Sequence, residues 1–527
     1  MARSMKQKTT SNDRKKLTIN LFGQGMTILH KVGLAGLWMT LKALEDENGG
    51  QTGFSGIDGS WERTDTRVTF QWNEDPVRFF KTLLEKSFRI DKNGLIWLTA
   101  LGEPMDNPGQ AKVLQESLLG TLLQHGNKKI RKADSSQKPG GSLSVDIDGS
   151  VVPMKFRRVT DYAHQHPDFR HDGINRLAGW QFPGGVVRHT GLGQTALEEL
   201  PERALSLLFI PAGTIFFEIK SRGGGVRPRY SLVFPEINSL TKYYQARRVF
   251  LRYGVRQLQA GGTTEAGFRV LAELSASGIL GDVRSARCCV VSFGIVPWSK
   301  QQKTRVGLMT VQARSDDDLR IFNLCRQVLI PQLVRPEKED PFWAPAQAPD
   351  LIARNLTEGK PWWQGFANLV ADRDRRNHIF KYEKGGLSKM VENREAFPEG
   401  PERAFVEACH EAWRRRMGQI GEKAKRERSS FRDQVYREFV QTRVAFSRCK
   451  NCAALRQAVT DFWARAGGPI KPLQEGWGDV LILLDERNWQ KARDLALLAL
   501  ASYRPATKEE AQALENLETT NEGGDQQ

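Results

Sequence analysis

The stretch "MTILHKVGLAGLWMTLKAL", Met26 to Leu44, is the most apolar long run in the chain and decides what kind of molecule it can be. Its length suits a bilayer crossing, which takes about 20 apolar residues. Its charges do not: His30, Lys31 and Lys42 would each cost a few kcal/mol near a bilayer centre. The segment before it is polar from Ser4 to Lys16, unlike a signal peptide. Leu34, Leu37, Leu41 and Leu44 recur at spacings of three and four, which gives a helix with one apolar stripe. Gly33 and Gly36 lower helix propensity but allow a second backbone to come close. The expectation is a helix in the core of the N-terminal domain, with His30 as a satisfied core or helix-edge side chain. No other segment is a better membrane candidate, so the chain is expected to be cytoplasmic and free of membrane.

The fold class expected is α+β: a large mixed α/β N-terminal region followed by an all-α C-terminal bundle. Residues 1–20 lack periodicity and are expected to be a basic disordered arm. Over 21–385, "SWERTDTRVTFQW" alternates like a strand, "PVRFFKTLLEKSF" has helical spacing and "GLIWLTAL" resembles a short strand. A Lys-, Ser-, Pro- and Gly-rich stretch at 126–142 marks a loop or subdomain break. Beyond it come the β-like runs "SLSVDIDG", "VVPMKFRRV", "LSLLFIPAGTIFFEIK", "RYSLVFPEI" and "ARCCVVSFGIV", with a helical "TEAGFRVLAELSASG" between them. This pattern implies a mixed sheet with decorated loops.

The C-terminal region, 390–505, is expected to be a helical bundle. Pro401 suits a first helical turn, and Phe405, Cys409, Trp413, Met417 and Ile420 follow at helical spacing. Phe431, Val435 and Phe439 mark a second helix; Leu455, Val459 and Phe462 mark a third, which "AGGPIKP" stops. Residues 506–527 form an acidic tail, expected to be disordered at its end.

Charge is the first functional clue. The 527 residues hold 78 Lys and Arg against 61 Asp and Glu, a net charge of +17. Such an excess suits a polyanion, because each neutralised phosphate releases a counterion; the alternative is a basic surface that serves solubility alone. Two glycine-rich loops pair backbone N–H groups with cations: Arg188 and His189 in "WQFPGGVVRHTGLGQ", and Arg222, Gly223, Gly224, Arg227 and Arg229 in "KSRGGGVRPRY". Ordinary hairpin turns would look the same. "KFRRVTDY" adds Lys155, Arg157 and Arg158. Residues 411–450 hold twelve cations against five carboxylates. That imbalance favours a phosphate-backbone stripe over a solvated face, with Arg414, Arg415, Lys423, Lys425, Arg426, Arg428 and Arg432 as its candidates.

Enzyme-like strings are few. "DYAHQHPDFRHD" places His164, His166, Asp168, His171 and Asp172 close together, competent ligands for a metal-dependent nuclease or phosphohydrolase, yet no second cluster downstream completes the set. Cys449 and Cys452 in "CKNC" have half a zinc spacing without the other half, and Cys288 and Cys289 lie in an apolar run. Walker, GxSxG and strand-bound GxGxxG sequences are absent. Six irregularly spaced cysteines are expected to stay reduced. No catalytic residue, metal or cofactor is assigned.

Three strings, "HKVGLAGLWMTLKAL", "GWQFPGGVVRH" and "GGLSKMVENREAF…FVEACHEAWRRRMGQI", resemble the large subunit of type I CRISPR Cascade complexes, of the I-B branch once called Myxan-type. The likeness spans most of the chain in the same order. It implies a subunit without catalysis of its own that holds the crRNA 5′ handle and reads the protospacer-adjacent motif in double-stranded DNA. It also implies stabilisation of the R-loop and recruitment of the helicase-nuclease. Implied partners are crRNA, target DNA, and the Cascade backbone, handle-binding and small subunits. The C-terminal bundle would resemble the small subunit, and Met390, just before it, is a candidate internal start for a separate product.

Overall fold

The computed structural model describes residues 15–122, 130–132, 140–147, 150–162, 175–177, 197–219, 229–278, 286–298, 301–334 and 342–505. The chain divides into two compact units, Met1–Gln312 and Ala313–Gln527.

The first unit contains helices α1 (Ile28–Glu47), α2 (Val77–Ser87), α3 (Pro108–Gly120), α4 (Pro201–Leu208), α5 (Ile210–Gly213), α6 (Leu240–Phe250) and α7 (Thr263–Ala276). Its N-terminal sheet runs, edge to edge, Lys16–Asn20, Arg67–Gln71, Ile57–Arg63 and Gly53–Phe54, all antiparallel. The arm expected over 1–20 is therefore too long. "KLTIN" is apolar at alternate positions, so Leu17 and Ile19 enter the core while Lys16–Asn20 pairs with Arg67–Gln71. "SWERTDTRVTFQW" is not one strand but a hairpin that turns at Thr64–Thr66. Asp65 at the turn accepts from Ser239 Oγ at 2.6 Å and Thr241 N at 3.1 Å.

The larger sheet has five strands in the order Gln259–Ala260, Ile215–Ile219, Arg229–Pro235, Arg287–Trp298, Gln301–Gln312. Only its first pair is parallel, so the sheet is mixed as expected. "LSLLFIPAGTIFFEIK" departs from its β-like appearance: its first half is α4 and α5, and only Ile215–Ile219 is strand. Pro201 starts α4, and the segment finds its partner in α1, whose Gly33 and Gly36 face its backbone. Helix α1 is buried along most of its length and joins both sheets in one apolar core with Phe70, Phe80, Phe209, Leu232 and Phe234. No helix among the described residues is long and apolar enough to cross a membrane. His30 sits in the first turn of α1, with Nδ1 2.8 Å from Thr27 Oγ1 and Nε2 3.5 Å from Glu199. It lies at the helix edge, buried, with Nδ1 hydrogen-bonded and Nε2 without a hydrogen bond among the described residues; burial lowers its pKa, while Glu199 acts the other way.

The second unit contains α8 (Asp316–Val328), α9 (Ala348–Glu358), α10 (Phe366–Leu369), α11 (Arg373–His378), α12 (Lys384–Glu392), α13 (Pro401–Glu427), α14 (Phe431–Arg448), α15 (Cys452–Ala464), α16 (Lys471–Leu483) and α17 (Trp489–Ser502). A π-helical turn, Ile379–Glu383, joins α11 to α12. Phe405, Cys409, Trp413, Met417 and Ile420 are buried along α13, and Val435, Phe439, Leu455, Val459 and Phe462 bury the matching faces of α14 and α15. Helix α17 packs against α10, α12, α13, α14 and α15, with Ala492 and Asp494 to Ser502 buried. Its Asp494 carboxylate accepts from Gly365 N at 2.7 Å and Ala367 N at 2.9 Å. The compact unit begins at Ala313, and the bundle expected over 390–505 is its C-terminal part. The change of composition near 390 marks where the surface becomes charged, whereas packing already couples α10 to the last helix.

Candidate nucleic-acid interface

The first unit offers part of the expected surface. Gly140–Ile147 and Ser150–Arg157 form an antiparallel hairpin beside α3. Lys155, Arg157 and Arg158 at its end are exposed, but Arg157 is committed to the fold. Its Nε reaches Glu116 Oε2 at 2.8 Å, and its backbone N–H reaches Glu116 Oε1 at 2.8 Å, tying the hairpin to α3. Arg158 packs its stem against Gly94.

The same region carries the roots of the second glycine loop. Strands Ile215–Ile219 and Arg229–Pro235 flank it, and Arg229 is exposed at the start of the second. Tyr230, next in the chain, is buried; burial first and then the charges of Glu218 and Glu116 push its phenol up, while Arg157 pulls it down. Glu218 is itself buried, accepting from Gln259 Nε2 at 3.2 Å with Lys112 Nζ at 3.7 Å. Arg157 and the Arg229 edge thus converge on one polar cluster. Arg188, His189, Arg222, Gly223, Gly224 and Arg227 lie outside the described residues.

In the second unit the cations divide into two groups. Glu411 takes Arg414 Nη2 and, at 2.7 Å, Arg415 Nε. Arg416 Nη2 and Arg465 Nη1 both reach the buried Glu438, at 2.9 and 2.8 Å, joining α13 to α14 and to the end of α15. The "WRRR" run is therefore largely neutralised, because carboxylates stand at helical spacing or on the facing helix.

Further along, Lys423, Lys425, Arg426 and Arg428 are exposed and form no salt bridge to a described residue. Arg432, at the start of α14, is half-buried. The turn between the helices holds these groups close. Arg428 ends α13 in the left-handed conformation (φ 51°) with its N–H on Ala424 O, and Ser430 Oγ caps α14 by accepting from Asp433 N at 3.2 Å. These exposed side chains present positive charge with no competing partner among the described residues, as phosphate contacts require.

Two half-buried arginines escape a sequence-level search: Arg376 on α11 and Arg443 on α14. The signal for the first is the run "RDRR" at 373–376; nothing in the pattern singles out the second among the cations of 411–450.

Metal chemistry gains no site. His164, His166, Asp168, His171 and Asp172 lie outside the described residues, and no group of three His, Cys, Asp or Glu side chains converges among the described ones. Cys449 and Cys452 are buried between α14 and α15, where each thiol donates to a carbonyl, of Ala445 at 3.1 Å and of Leu484 at 3.2 Å. Burial raises both thiol pKa values, and that of Cys288, which packs in the larger sheet.

Comparison with known proteins finds one family match within each unit. The family model of the DevT N-terminal domain matches residues 18–208, and that of the DevT C-terminal domain matches residues 394–527. Among curated relatives, the CRISPR-associated protein Cas8a1/Csx13 of Myxococcus xanthus (strain DK1622) is 26% identical, covering 94% of this chain and 90% of its own length. Together these matches support a Cas8-like large subunit of a CRISPR effector.

Proposed function

We propose that this chain is the non-catalytic large subunit of an RNA-guided surveillance complex of the I-B branch, acting in the cytoplasm. In this reading it holds the crRNA 5′ handle, recognises the protospacer-adjacent motif in double-stranded DNA and stabilises the R-loop. It also assembles with backbone, handle-binding and small subunits and helps recruit the helicase-nuclease. Likeness along 94% of the chain to a CRISPR-associated protein carries the reading. The exposed cations from Lys423 to Arg428, which form no salt bridge to a described residue, add a physical reason for it.

The division of labour follows from the chemistry. Guide pairing reads the target, so the protein needs only a short motif contact and many contacts to backbone. Exposed lysines and arginines at a helix end serve the second task, because they meet phosphates of any sequence. The glycine-rich loops rooted at Ile219–Arg229, and at 180–194, suit the first, since a base edge requires close backbone approach. Salt-dependent binding of duplexes with and without a candidate motif tests the split. Changes at 423–428 should weaken both alike, and changes at Arg188, Arg222 or Arg227 should alter preference between them. Equal effects on both duplexes from both sets would overturn this assignment.

A further inference from the structure

The second unit pairs its sheltered arginines with care. Arg416 and Arg465 share Glu438, and Arg403 donates to the carbonyls of Phe397 and Val391. Arg443 is the exception: half-buried on α14, it makes no hydrogen bond or ion pair to a described residue. Burial first and then the positive charge of Arg376 lower its pKa, while Tyr436 acts the other way. Arg376 is tethered through Nη1 to the carbonyls of Val370 and Ala371, both at 3.3 Å, with Arg373 adding positive charge and Asp372 and Asp374 opposing it. The π-helical turn after α11 brings Phe380 against Phe439 of α14, ring centroids 5.1 Å apart, and Lys384 lies over that Phe439 ring at 5.5 Å. Arg376 stands four residues before Phe380 and Arg443 four after Phe439, so this contact brings the two arginine-bearing segments together, with Lys384 beside them.

Arg443 thus holds a half-buried positive charge with no counter-ion among the described residues, on a helix that packs beside the arginine-bearing α11 segment, an arrangement that an anion would complete. We propose that Arg376 and Arg443, with Lys384 at the rim, form a seat for a phosphodiester of a nucleic-acid backbone. Guanidinium forks match phosphate oxygens in a bidentate manner. The proposal rests on the nucleic-acid-binding role inferred above but places a contact outside the 423–428 row. The π-helical turn supports it, since such turns recur at functional sites.

The test uses full-length protein and labelled single-stranded DNA, single-stranded RNA and duplex DNA, with anisotropy read across a range of potassium chloride concentrations. The double variant R376Q/R443Q should lower the slope of log affinity against log salt by about 0.7 for a single strand or 0.9 for a duplex, and should weaken binding roughly 10-fold near 0.1 M salt. Arg443→Met alone should keep or raise the thermal midpoint, because it removes a repulsion, while Arg443→Lys should keep the wild-type slope. A double variant that binds like wild type overturns the seat and leaves the proposed function standing. A Lys variant that loses slope as fully as the Gln variant shows a packing role and also overturns it. Wild-type protein that binds none of the three probes overturns both.

Discussion

Gly33 of α1 lies against Ser206 of α4 so closely that a Cβ on the glycine would stand 2.1 Å from the serine carbonyl oxygen. A Cβ on Gly36 would stand 2.2 Å from Phe209 O, and one on Gly213 2.0 Å from Val32 O. The contact is backbone on backbone, with nothing flexible to yield. Gly33→Ala and Gly36→Ala should each destabilise the protein by roughly 3 kcal/mol or more through overpacking. Thermal or denaturant unfolding measures this, and a wild-type midpoint in either variant would refute the close-approach role.

Glu438 holds two arginines from neighbouring helices while itself buried. Removing one member of a buried network leaves the others uncompensated. Glu438→Gln should cost about 3 kcal/mol, whereas neutralising Arg414, exposed and paired with Glu411, should cost under about 1 kcal/mol. Urea unfolding of both variants distinguishes the values.

Burial pushes the His410 imidazole down to about 4, although hydrogen bonding to the Ala499 carbonyl and the nearby Glu392 act the other way. The unfolded chain binds this proton near the ordinary value of 6.5, so between about 6.5 and 4 it holds more protons than the folded one. Stability should therefore fall as pH drops through that window, and be fully present above it. His410→Gln should flatten the loss, as read from thermal midpoints at stepped pH.

Arg428 takes a left-handed backbone where glycine is the ordinary choice. Arg428→Gly should raise stability by about 1 kcal/mol and weaken DNA binding, while Lys423→Gln and Arg426→Gln should weaken binding without a stability gain. Arg415→Gln should have less effect on binding than Arg426→Gln, because its charge already meets Glu411. Paired melting and anisotropy measurements check both orders.

A product starting at Met390 would cut through α12, where Met390 is fully buried. It would also strip Asp494 of the N–H groups of Gly365 and Ala367, leaving a buried carboxylate without those donors. A fragment of 390–527 should melt below a fragment of 313–527. Equal midpoints would show that the smaller piece is self-sufficient.

The sequence made the helical bundle legible because each helix keeps a regular apolar stripe bounded by Pro, Gly or Ser, as from Pro401 to Ile420. The close passage of α1 was legible in part: Gly33 and Gly36 announced that a backbone would come near, but not that it would be α4 and α5, whose apolar run reads equally well as strand. The hairpin at Thr64–Thr66 was hidden because its turn lacks glycine and proline and is stabilised by Ser239 and Thr241, far along the chain. Charge was the least legible property. Counting cations pointed to α13 and α14, but which ones are neutralised depends on Glu411 and Glu438 and on helix facing, and the π-helical turn that brings Phe380 to Phe439 leaves no mark in the charge pattern.

Co-expression with the neighbouring genes and a CRISPR array, followed by size-exclusion chromatography, tests the central claim most directly. The chain is expected to elute early, together with crRNA and partner subunits, and to remain with them at moderate salt. Elution alone at the position of a single copy, with no RNA in the fraction, would contradict a large-subunit role.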